Sequence, residues 1–555
     1  MKSNWNAQLV LIRIITSRQT FGGRVSRSRR PGSIPVTENA IGTPPLDGAQ
    51  ASRPTRTEPA IAPRIDPHAT GRSRGARWRA AIGFTTAWLA FFALAWWLPA
   101  PAHLSAEGKA TLAVVAWVAI VWITEAIPVG VSGILLPMLL VLSHASPSFP
   151  KAASGFAAPV VFLCLAAFLF SAIMQASGLD RRVALLLLDQ LKVRTANGVI
   201  WAMFAVNCVM ALVVPAANAR AATLLPVTNG IVRLFGESPR ERTARKAIVI
   251  QTLVYGAMIS GMCILTAHLP NMVVSGLLEK QLGIRISYLT WLKLQWPYLG
   301  MFAITQAWVQ FHFRSRAVAI PGGPGAIAAM RGTQPPAARN DWAILALFAA
   351  VAVLWATEPL HHLPSEIVAL IALALLFAPG VLRFGWAEVE QRTIWGTLFL
   401  LAGALSLSSA ISASGLASWA ADHVYVAARG HGWWLAIAIV MLGTHVIRIG
   451  MLSNVAAVTM IAPIALALAP RLGLHPVAFT MLVSDTDSFA YLLPTQITAG
   501  VIAYSSGAFS TADYAKVGAV SVLIAIVYGL CVIAPWYAYM GIPVWDASAP
   551  WPFAH

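Results

Sequence analysis

Two short segments interrupt otherwise apolar stretches with polar residues that can bind ions. The first segment carries Asn218 and Arg220, and the second carries Ser453 and Asn454. A helix broken in apolar surroundings leaves N–H groups unpaired at one end and carbonyl groups unpaired at the other. The N–H ends attract anions, and the freed carbonyls can coordinate cations. The two segments therefore predict a binding site for a small anion, accompanied by a cation.

Proline supports a break in each segment. Pro215 and Pro226 flank the first segment, and Pro463 follows the second. Because proline lacks an N–H and its ring clashes with the preceding turn, it disfavours a continuous helix. A lone asparagine in an apolar helix usually makes a packing hydrogen bond. The presence of Asn218 and Asn454 in both segments favours binding instead.

Each break has a polar partner further along the chain, where an apolar stretch ends with threonine, proline and an amide side chain. One partner contains Thr266 and Asn271, and the other contains Thr495, Gln496 and Thr498. Together with the breaks, these partners give the predicted substrate contacts: Asn218, Arg220, Thr266, Asn271, Ser453, Asn454, Thr495, Gln496 and Thr498.

The predicted cation ligands carry amide, hydroxyl or carboxylate oxygens: Asn218, Ser453, Asn454, Asp485 and Asp487. Charged residues in apolar segments are costly and point to function. Arg220, Arg448 and His445 are the basic examples. Arg448 has two open roles, since it can attract an anion or pair structurally with an aspartate. Asp485 or Asp487 can carry a coupling proton or bind sodium.

The composition places these residues in a membrane protein. Of the 555 residues, 58% are hydrophobic and 11% are charged. Soluble proteins are about one quarter charged. Apolar runs recur at about the 20-residue length that spans a bilayer, so we predict an all-α polytopic protein with about 11 transmembrane helices. Much of the net charge of +18 lies in the first 80 residues, and we do not interpret it as a nucleic-acid signal.

The two halves of the chain carry matching features in the same order. Glu125 and Glu358 follow similar Trp-x-Thr motifs, and Asn218 matches Asn454, all at an offset of about 235 residues. Repeats of this kind are typical of transporters whose two inverted halves hold the substrate between them near the midplane. We interpret the two glutamates as structural, with capping or pairing roles.

Composition and repeat boundaries divide the chain into six parts. They are a disordered, arginine-rich extension (1–79), a leading transmembrane helix and loop (80–104), repeat 1 (105–311), a cytoplasmic linker (312–341), repeat 2 (342–540) and a C-terminal tail (541–555). We interpret the extension as dispensable, and the alternative is a membrane-surface or regulatory tail. Basic residues stay cytoplasmic, so we expect a cytoplasmic N-terminus in the cell (inner) membrane.

With these motifs the chain resembles the divalent anion:sodium symporter family over about residues 80–540. The resemblance rests on the Trp-Ile-Thr-Glu-Ala-Ile-Pro motif at 122–128, the two polar breaks and the downstream proline turns. The family includes di- and tricarboxylate transporters, sulfate transporters and 2-oxoglutarate/malate translocators. The resemblance implies Ser-Asn-Thr breaks that bind sodium and carboxylates, re-entrant hairpins near residues 156–177 and 391–414, and homodimers that work by an elevator motion.

The chain departs from the family at both breaks. Repeat 1 has Ala217-Asn218-Ala219 where the family has Ser-Asn-Thr, and repeat 2 has Val455 in place of the threonine. An alternative register, closer to the translocator branch, puts Asn218 at a threonine position. Because hydroxyl ligands are missing in either register, one sodium ion, proton coupling and exchange all remain open.

These features predict a secondary transporter of small anions, such as di- or tricarboxylates or sulfate, rather than an enzyme. We expect sodium-coupled symport, with Na⁺ as the coupling ion and no other cofactor. The alternatives are a sodium-independent dicarboxylate exchanger, an anion channel and a membrane enzyme. No HExxH motif, paired metal-ligand cluster or Ser/His/Asp pattern in the sequence favours the enzyme. The expected partners are the anion, the bilayer and a second copy of the chain.

Overall fold

A computed structural model describes residues 74–553 except 213, 215, 335–337 and 452. Most of the predicted N-terminal extension, Pro215 and part of the predicted linker therefore lie outside the described residues. Within the described part of the chain the structure is helical and contains no β-strand. The predicted all-α class is confirmed at this level.

The first half contains thirteen α-helices among its described residues. They are α1 (Arg74–Phe92), α2 (Ala106–Thr124), α3 (Val129–Leu142), α4 (Phe149–Ala152), α5 (Pro159–Ser177), α6 (Leu179–Gln190), α7 (Ala196–Ala211), α8 (Ala217–Val232), α9 (Pro239–Val249), α10 (Ala257–Met262), α11 (Leu269–Leu282), α12 (Tyr288–Gln295) and α13 (Tyr298–Phe313).

The second half continues with another thirteen over the residues that are described. They are α14 (Gly323–Gly332), α15 (Arg339–Ala356), α16 (Glu358–His361), α17 (Ser365–Leu376), α18 (Trp386–Arg392), α19 (Trp395–Ala413), α20 (Leu416–Ala428), α21 (Trp433–Arg448), α22 (Asn454–Leu468), α23 (Pro476–Ser488), α24 (Thr498–Tyr504), α25 (Thr511–Tyr528) and α26 (Ala534–Tyr539).

Several helical stretches have the length and composition of membrane spans. Five of those described are long and apolar enough to cross a bilayer: Arg77–Trp97, Ala106–Thr124, Pro159–Ser177, Trp395–Ala413 and Thr511–Tyr539. Shorter apolar helices include α3, α7, α17, α21 and α22. Short apolar helices are the expected product of spans that stop partway and restart.

Two pairs of helices form hairpins. Helix α7 ends at Ala211, and Ala216 at the tip has a φ of 68°, which is rare for alanine. Both α7 and α8 pack against the start of the following helical run, α9, and against its end, α10, so the two arms lie side by side. Helices α21 and α22 form the second hairpin, and both pack against α23.

The hairpin positions implied by the family resemblance were wrong. Residues 159–177 and 395–413 each form one uninterrupted helix. Each apolar run is long enough for a single helix, and the chain turns only afterwards, at Gly178 and Gly415, which have φ values of 70° and 78°. The segments that reverse direction are 196–232 and 433–468.

The positions of the breaks also differ from the proline-based prediction. Pro226 lies inside α8 and Pro463 lies inside α22. Proline is tolerated inside membrane helices because neighbouring groups satisfy the freed carbonyl. Among the described residues, α7 ends at Ala211 and α8 begins at Ala217, whereas α21 ends at Arg448 and α22 begins at Asn454.

Two further helices break after the hairpins. The run from α9 to α10 ends at Met262 and is followed by a 3₁₀ turn, Leu265–Ala267, before α11 begins. Helix α23 is followed by a 3₁₀ turn, Pro494–Gln496, before α24 begins. The residues that precede the new helices, His268 and Ile497, share an extended backbone, with φ values of −144° and −137°. The order of hairpin, helix, 3₁₀ turn and helix thus occurs twice.

The closest packing between the two halves is a glycine-lined crossing of α3 and α19. A Cβ added to Gly133 would lie 2.3 Å from the carbonyl oxygen of Phe399, and one on Gly130 would lie 2.5 Å from Cα of Gly396. On the facing helix, a Cβ on Gly403 would lie 2.3 Å from the carbonyl oxygen of Gly133. Small residues allow two membrane helices to approach this closely.

We expect Gly133→Ala to lower the free energy of unfolding by about 1–3 kcal/mol, because the added methyl group must push backbone apart. The measurement is the midpoint temperature of unfolding in detergent. Gly443→Ala is the matched control, since this helical glycine in α21 has open space around it. Equal midpoints for the two variants would contradict the prediction.

Candidate functional site

A cavity of about 200 Å³ lies where the two hairpin tips meet the two broken helices. Four predicted site residues line it: Asn218, Ser453, Asn454 and Thr498. They lie on or directly before three helices: Asn218 on α8, Ser453 and Asn454 at the start of α22, and Thr498 at the start of α24. The structure therefore brings both breaks, and one of their downstream partners, to a single cavity.

Three helices of eight residues or more begin at this cavity. Ala217 opens α8, Leu269 opens α11 and Asn454 opens α22, and all three line the cavity. The first N–H groups of a helix have no partner within the helix, and the helix dipole adds partial positive charge at the same end. An anion is the ligand that such converging ends attract.

The helices that start here form two pairs. Helix α8 packs against α24, and α11 packs against α22. We call the start of the first pair the first cup, with Asn218 and Thr498, and the start of the second pair the second cup, with His268, Ser453 and Asn454. In the first cup the backbone N–H of Ala499 donates to Oδ1 of Asn218 at 3.2 Å. Each cup thus joins a hairpin tip to a broken helix.

Arg220 fixes the first hairpin tip from behind the cavity. Its side chain is fully buried, and its Nη1 donates to the carbonyl oxygens of Val214 and Ala267, both at 3.0 Å. Its Nη2 donates to the carbonyl oxygen of Ala257 at 2.6 Å. Guanidinium has five donors in a planar fork. One side chain therefore contacts the hairpin tip at Val214, the start of α10 at Ala257 and the 3₁₀ turn at Ala267.

Arg448 makes the matching contacts at the second tip. Its Nη1 donates to the carbonyl oxygen of Met451 at 3.0 Å, and its Nη2 donates to that of Gln496 at 3.2 Å. Nη2 also donates to Oδ1 of Asn454. Nε lies 3.6 Å from Oδ2 of Asp487, and both side chains are fully buried. Arg448 therefore holds the amide of Asn454 in position at the cavity.

The two arginines thus bind the carbonyl groups that a broken helix frees for cations. In each half a guanidinium joins a tip carbonyl, Val214 or Met451, to a carbonyl of the 3₁₀ turn, Ala267 or Gln496. A metal ion at either place would compete with a fixed positive charge. This arrangement does not fit a sodium ion bound by these same carbonyls.

Two other predicted site residues brace the backbone. Asn271 donates from Nδ2 to the carbonyl oxygens of Gly261 and Ile264, at 3.1 and 3.0 Å. Oε1 of Gln496 accepts from the N–H of Leu493 at 2.8 Å, and its Nε2 donates to the carbonyl oxygen of Arg448 at 3.2 Å. These amides satisfy groups at the broken helix ends rather than facing the cavity.

The remaining predicted residues lie away from the cavity lining. Thr266 is buried within the first 3₁₀ turn, and Thr495 lies in the second 3₁₀ turn and is exposed. Asp485 accepts a hydrogen bond from Nε2 of Gln295 at 2.6 Å in a separate buried cluster. Asp487 faces Arg448. None of these four residues is among those that line the cavity in the described structure.

Sequence reasoning missed other residues that line the cavity, including His268, Trp122, Glu125 and Thr397. His268 lies two residues before Pro270 and three before Asn271, so its position beside a break was the available signal. Glu125 ends α2 and pairs with Arg79, with Nη2 and Oε2 3.2 Å apart. Glu358 accepts from Ser365 at 2.8 Å.

A second, wider cavity of about 580 Å³ adjoins the first. The two share Asn218, Thr397 and Thr498 in their linings. The charged residues in the lining of the wider cavity are Arg181, Arg392 and one acid, Asp180, so basic side chains outnumber acidic ones. Cationic walls raise the local concentration of anions, so this cavity is suited to deliver an anion to the narrower one.

The apolar helices, the paired breaks and the anion-attracting cavity define a polytopic membrane transporter. The sodium:sulfate symporter transmembrane-region model matches residues 81–542. The chain therefore belongs to that family, and it is a transporter of anions rather than an enzyme.

The chain is also similar to several individual proteins. A "Membrane protein" of Cupriavidus necator is 28% identical over 464 residues, covering 80% of this chain and 90% of its own. The sodium-dependent dicarboxylate transporter SdcS of Staphylococcus saprophyticus is 26% identical over 461 residues, covering 78% and 87%. The crystal structure of the Alcanivorax borkumensis YdaH transporter superposes with a TM-score of 0.48 at 14% identity, covering 71% and 89%.

Proposed function

We propose that the chain is a secondary transporter of small dicarboxylates, which bind between the two cups. The observation that carries this proposal is the convergence of three helix N-termini on one cavity of about 200 Å³. The lining adds neutral donors from Asn218, Asn454 and Ser453. Two separate cups suit a substrate with two negative groups. The name of the SdcS relatives supports the same substrate class.

The coupling ion has two candidates. Sodium symport is supported by the family description and by the sodium-dependent relatives. Its ligands would be the predicted oxygens of Asn218, Ser453 and Asn454, with Asp485 and Asp487 further back. The missing hydroxyls at Ala217, Ala219 and Val455 count against this set.

Sodium-independent exchange is the second candidate, and one observation favours it. Arg220 and Arg448 already place a positive charge against the freed carbonyls of each tip. A built-in cation can hold the tips closed around the anion without a dissolved one. The transporter would then move one dianion inward for each one outward, with no net change in the cations bound.

The repeated order of elements supports alternating access by two inverted repeats, as proposed for residues 105–311 and 342–540. A separate cavity of about 250 Å³ lies near Ser154, Lys280 and Ser408. There Nζ of Lys280 donates to Oγ of Ser154 at 2.6 Å. This cavity is the candidate for the closed route to the other side of the membrane. An elevator motion of the hairpins and broken helices would open it.

The remaining assignments belong to the same proposal. The segment 312–341 is a cytoplasmic linker, the N-terminus is cytoplasmic, and the protein works as a homodimer in the cell membrane. The leading helix (80–104) and the tail (541–555) flank the two repeats. Basic residues in 312–341 support the cytoplasmic side.

Uptake into proteoliposomes tests the function. Labelled succinate, malate, citrate and sulfate are offered with and without a sodium gradient, and with and without unlabelled anion inside. We expect succinate and malate uptake that falls at least tenfold in Asn454→Ala, because a charge-assisted hydrogen bond is lost. Asn340→Ala is the matched control, since Asn340 bonds to the carbonyl oxygens of Gly380 and Val381 outside the site.

Each outcome assigns the coupling. Uptake that a sodium gradient drives supports symport, whereas uptake that needs only internal anion supports exchange. Uptake of sulfate alone would replace the dicarboxylate with a smaller oxyanion. Absence of uptake for all four anions would overturn the proposed substrate class.

A further inference from the structure

His268 is a buried histidine and one of the residues that line the narrow cavity. The residue is 4% exposed, and its Nε2 has no hydrogen-bond partner in the described structure. Buried polar atoms almost always have a partner, and each exception calls for an explanation. A ligand in the cavity would supply the missing partner.

The backbone at this point does not require a histidine. His268 precedes α11 with φ −144° and ψ 120°, and Ile497 precedes α24 with φ −137° and ψ 142°. The same turn between a 3₁₀ segment and a new helix is therefore built in the other half with an aliphatic side chain. The turn forms without an imidazole in the other half, so the imidazole of His268 is not needed to build the turn. Its role depends on the groups that it contacts.

His268 lies in the second cup. Helix α11 packs along α22, and both begin at the cavity, so His268 stands beside Ser453 and Asn454. Gly261 leaves the room that this arrangement needs, because a Cβ there would lie 3.5 Å from Cβ of His268 and 2.7 Å from Nη2 of Arg220. The second cup therefore holds an amide, a hydroxyl and an imidazole.

We propose that His268 is a specificity-determining residue that donates a ring N–H to one carboxylate of the transported dianion. Either tautomer of imidazole carries one N–H donor, and a hydrogen bond to a charged acceptor is stronger than one between neutral groups. The first cup has Thr498 and Asn218 but no imidazole among its described lining residues. The two ends of the substrate are thus bound differently. This inference rests on the proposed transport function.

The expected effect falls on binding. Loss of one hydrogen bond to a carboxylate is expected to raise KM for succinate about 10- to 100-fold. The maximal rate should change little, because the contact is made with the bound substrate throughout. His268→Gln keeps an N–H donor at similar reach, so it should recover part of the affinity, whereas His268→Ala should not.

The test compares these variants in proteoliposomes under exchange and sodium-gradient conditions. Thermal stabilisation of the detergent-solubilised protein by succinate gives a second readout that does not depend on transport. His475→Gln is the control, since this buried histidine accepts from the N–H of Ala478 at 3.3 Å away from the cavity. We expect succinate to stabilise the wild type and the control, and to stabilise His268→Ala only at much higher concentration.

Two results would overturn the inference while leaving the proposed function in place. One is a KM for succinate that is unchanged in His268→Ala. The other is a loss of rate and of unliganded stability that His268→Gln shows equally, because that pattern marks a packing role. If wild-type protein neither transports nor is stabilised by succinate, malate, citrate or sulfate, the proposed function and this inference fail together.

Discussion

Replacing Arg448 with methionine is expected to abolish transport and to lower the free energy of unfolding by about 3–5 kcal/mol. Removing one partner of a buried ion pair leaves the other charge uncompensated, and this is the magnitude that such changes cost. Here the charge left behind is Asp487, whose carboxylate oxygens have no hydrogen-bond partner in the described structure. The variant also frees the carbonyl oxygens of Met451 and Gln496 and the amide of Asn454.

A double variant separates the two consequences. In Arg448→Met with Asp487→Leu no charge is left buried, so we expect most of the stability to return. Transport should stay lost, because nothing then orients Asn454 at the cavity. Arg471→Met is the control, since its ion pair with Asp422 is exposed and such pairs contribute about 0–1 kcal/mol. The measurements are the unfolding midpoint in detergent and exchange of labelled succinate.

Recovery of both stability and transport in the double variant would show that the pair is only structural. Transport by the single variant at the wild-type rate would contradict the prediction altogether. The sequence alone leaves these roles open, since it shows that Arg448 precedes a break but not which groups face it. The contact with Asn454 is what joins the ion pair to the cavity.

The sequence predicts the breaks because they depend on local chemistry. Asn218, Ser453 and Asn454 are polar residues inside apolar runs, and a polar group in that setting must face a partner or a ligand. Their placement at one cavity follows from the repeat, since the two halves build the same turn twice. Thr498 is predicted by the same argument, because it opens the helix that comes after the second 3₁₀ turn.

Other residues of the site depend on contacts across the fold, which a sequence does not show. Thr495 and Thr498 are three residues apart and equally polar, yet only Thr498 lines the cavity. Asn271 and Gln496 bond to backbone groups of neighbouring segments. The prediction of the hairpin positions was wrong for a related reason. Length and hydropathy permit a helix or a hairpin at 159–177, and only packing selects between them.

Arg220 offers the sharper test of what closes the hairpin tips. It differs from Arg448 in having no carboxylate within ion-pair distance among the described residues. Its charge is balanced by three carbonyl oxygens, those of Val214, Ala257 and Ala267. Oxygen groups of this kind also form sites for hard cations such as sodium. We call these three carbonyl oxygens the cage. The guanidinium occupies the cage in the wild type, and its removal leaves the cage vacant.

We expect Arg220→Ala to lose transport in sodium-free buffer and to gain stability from sodium that the wild type does not gain. A ligand present at 100 times its Kd stabilises the folded state by about 2.7 kcal/mol, which gives a clear rise in the unfolding midpoint. The measurement is that midpoint in sodium chloride and in choline chloride at equal ionic strength. Arg220→Lys is the control, because its ammonium keeps a positive charge in the cage but cannot reach all three carbonyls at once.

The comparison discriminates between the two coupling modes. Sodium stabilisation confined to Arg220→Ala would mean that the arginine stands in for the ion, and exchange without sodium is then the natural cycle. Equal sodium stabilisation of the wild type and both variants would place the sodium site elsewhere and would favour sodium symport. A vacant cage that no cation stabilises would show that the three carbonyls collapse or take up water when Arg220 is removed, so that the guanidinium acts as a structural brace rather than as a substitute for sodium.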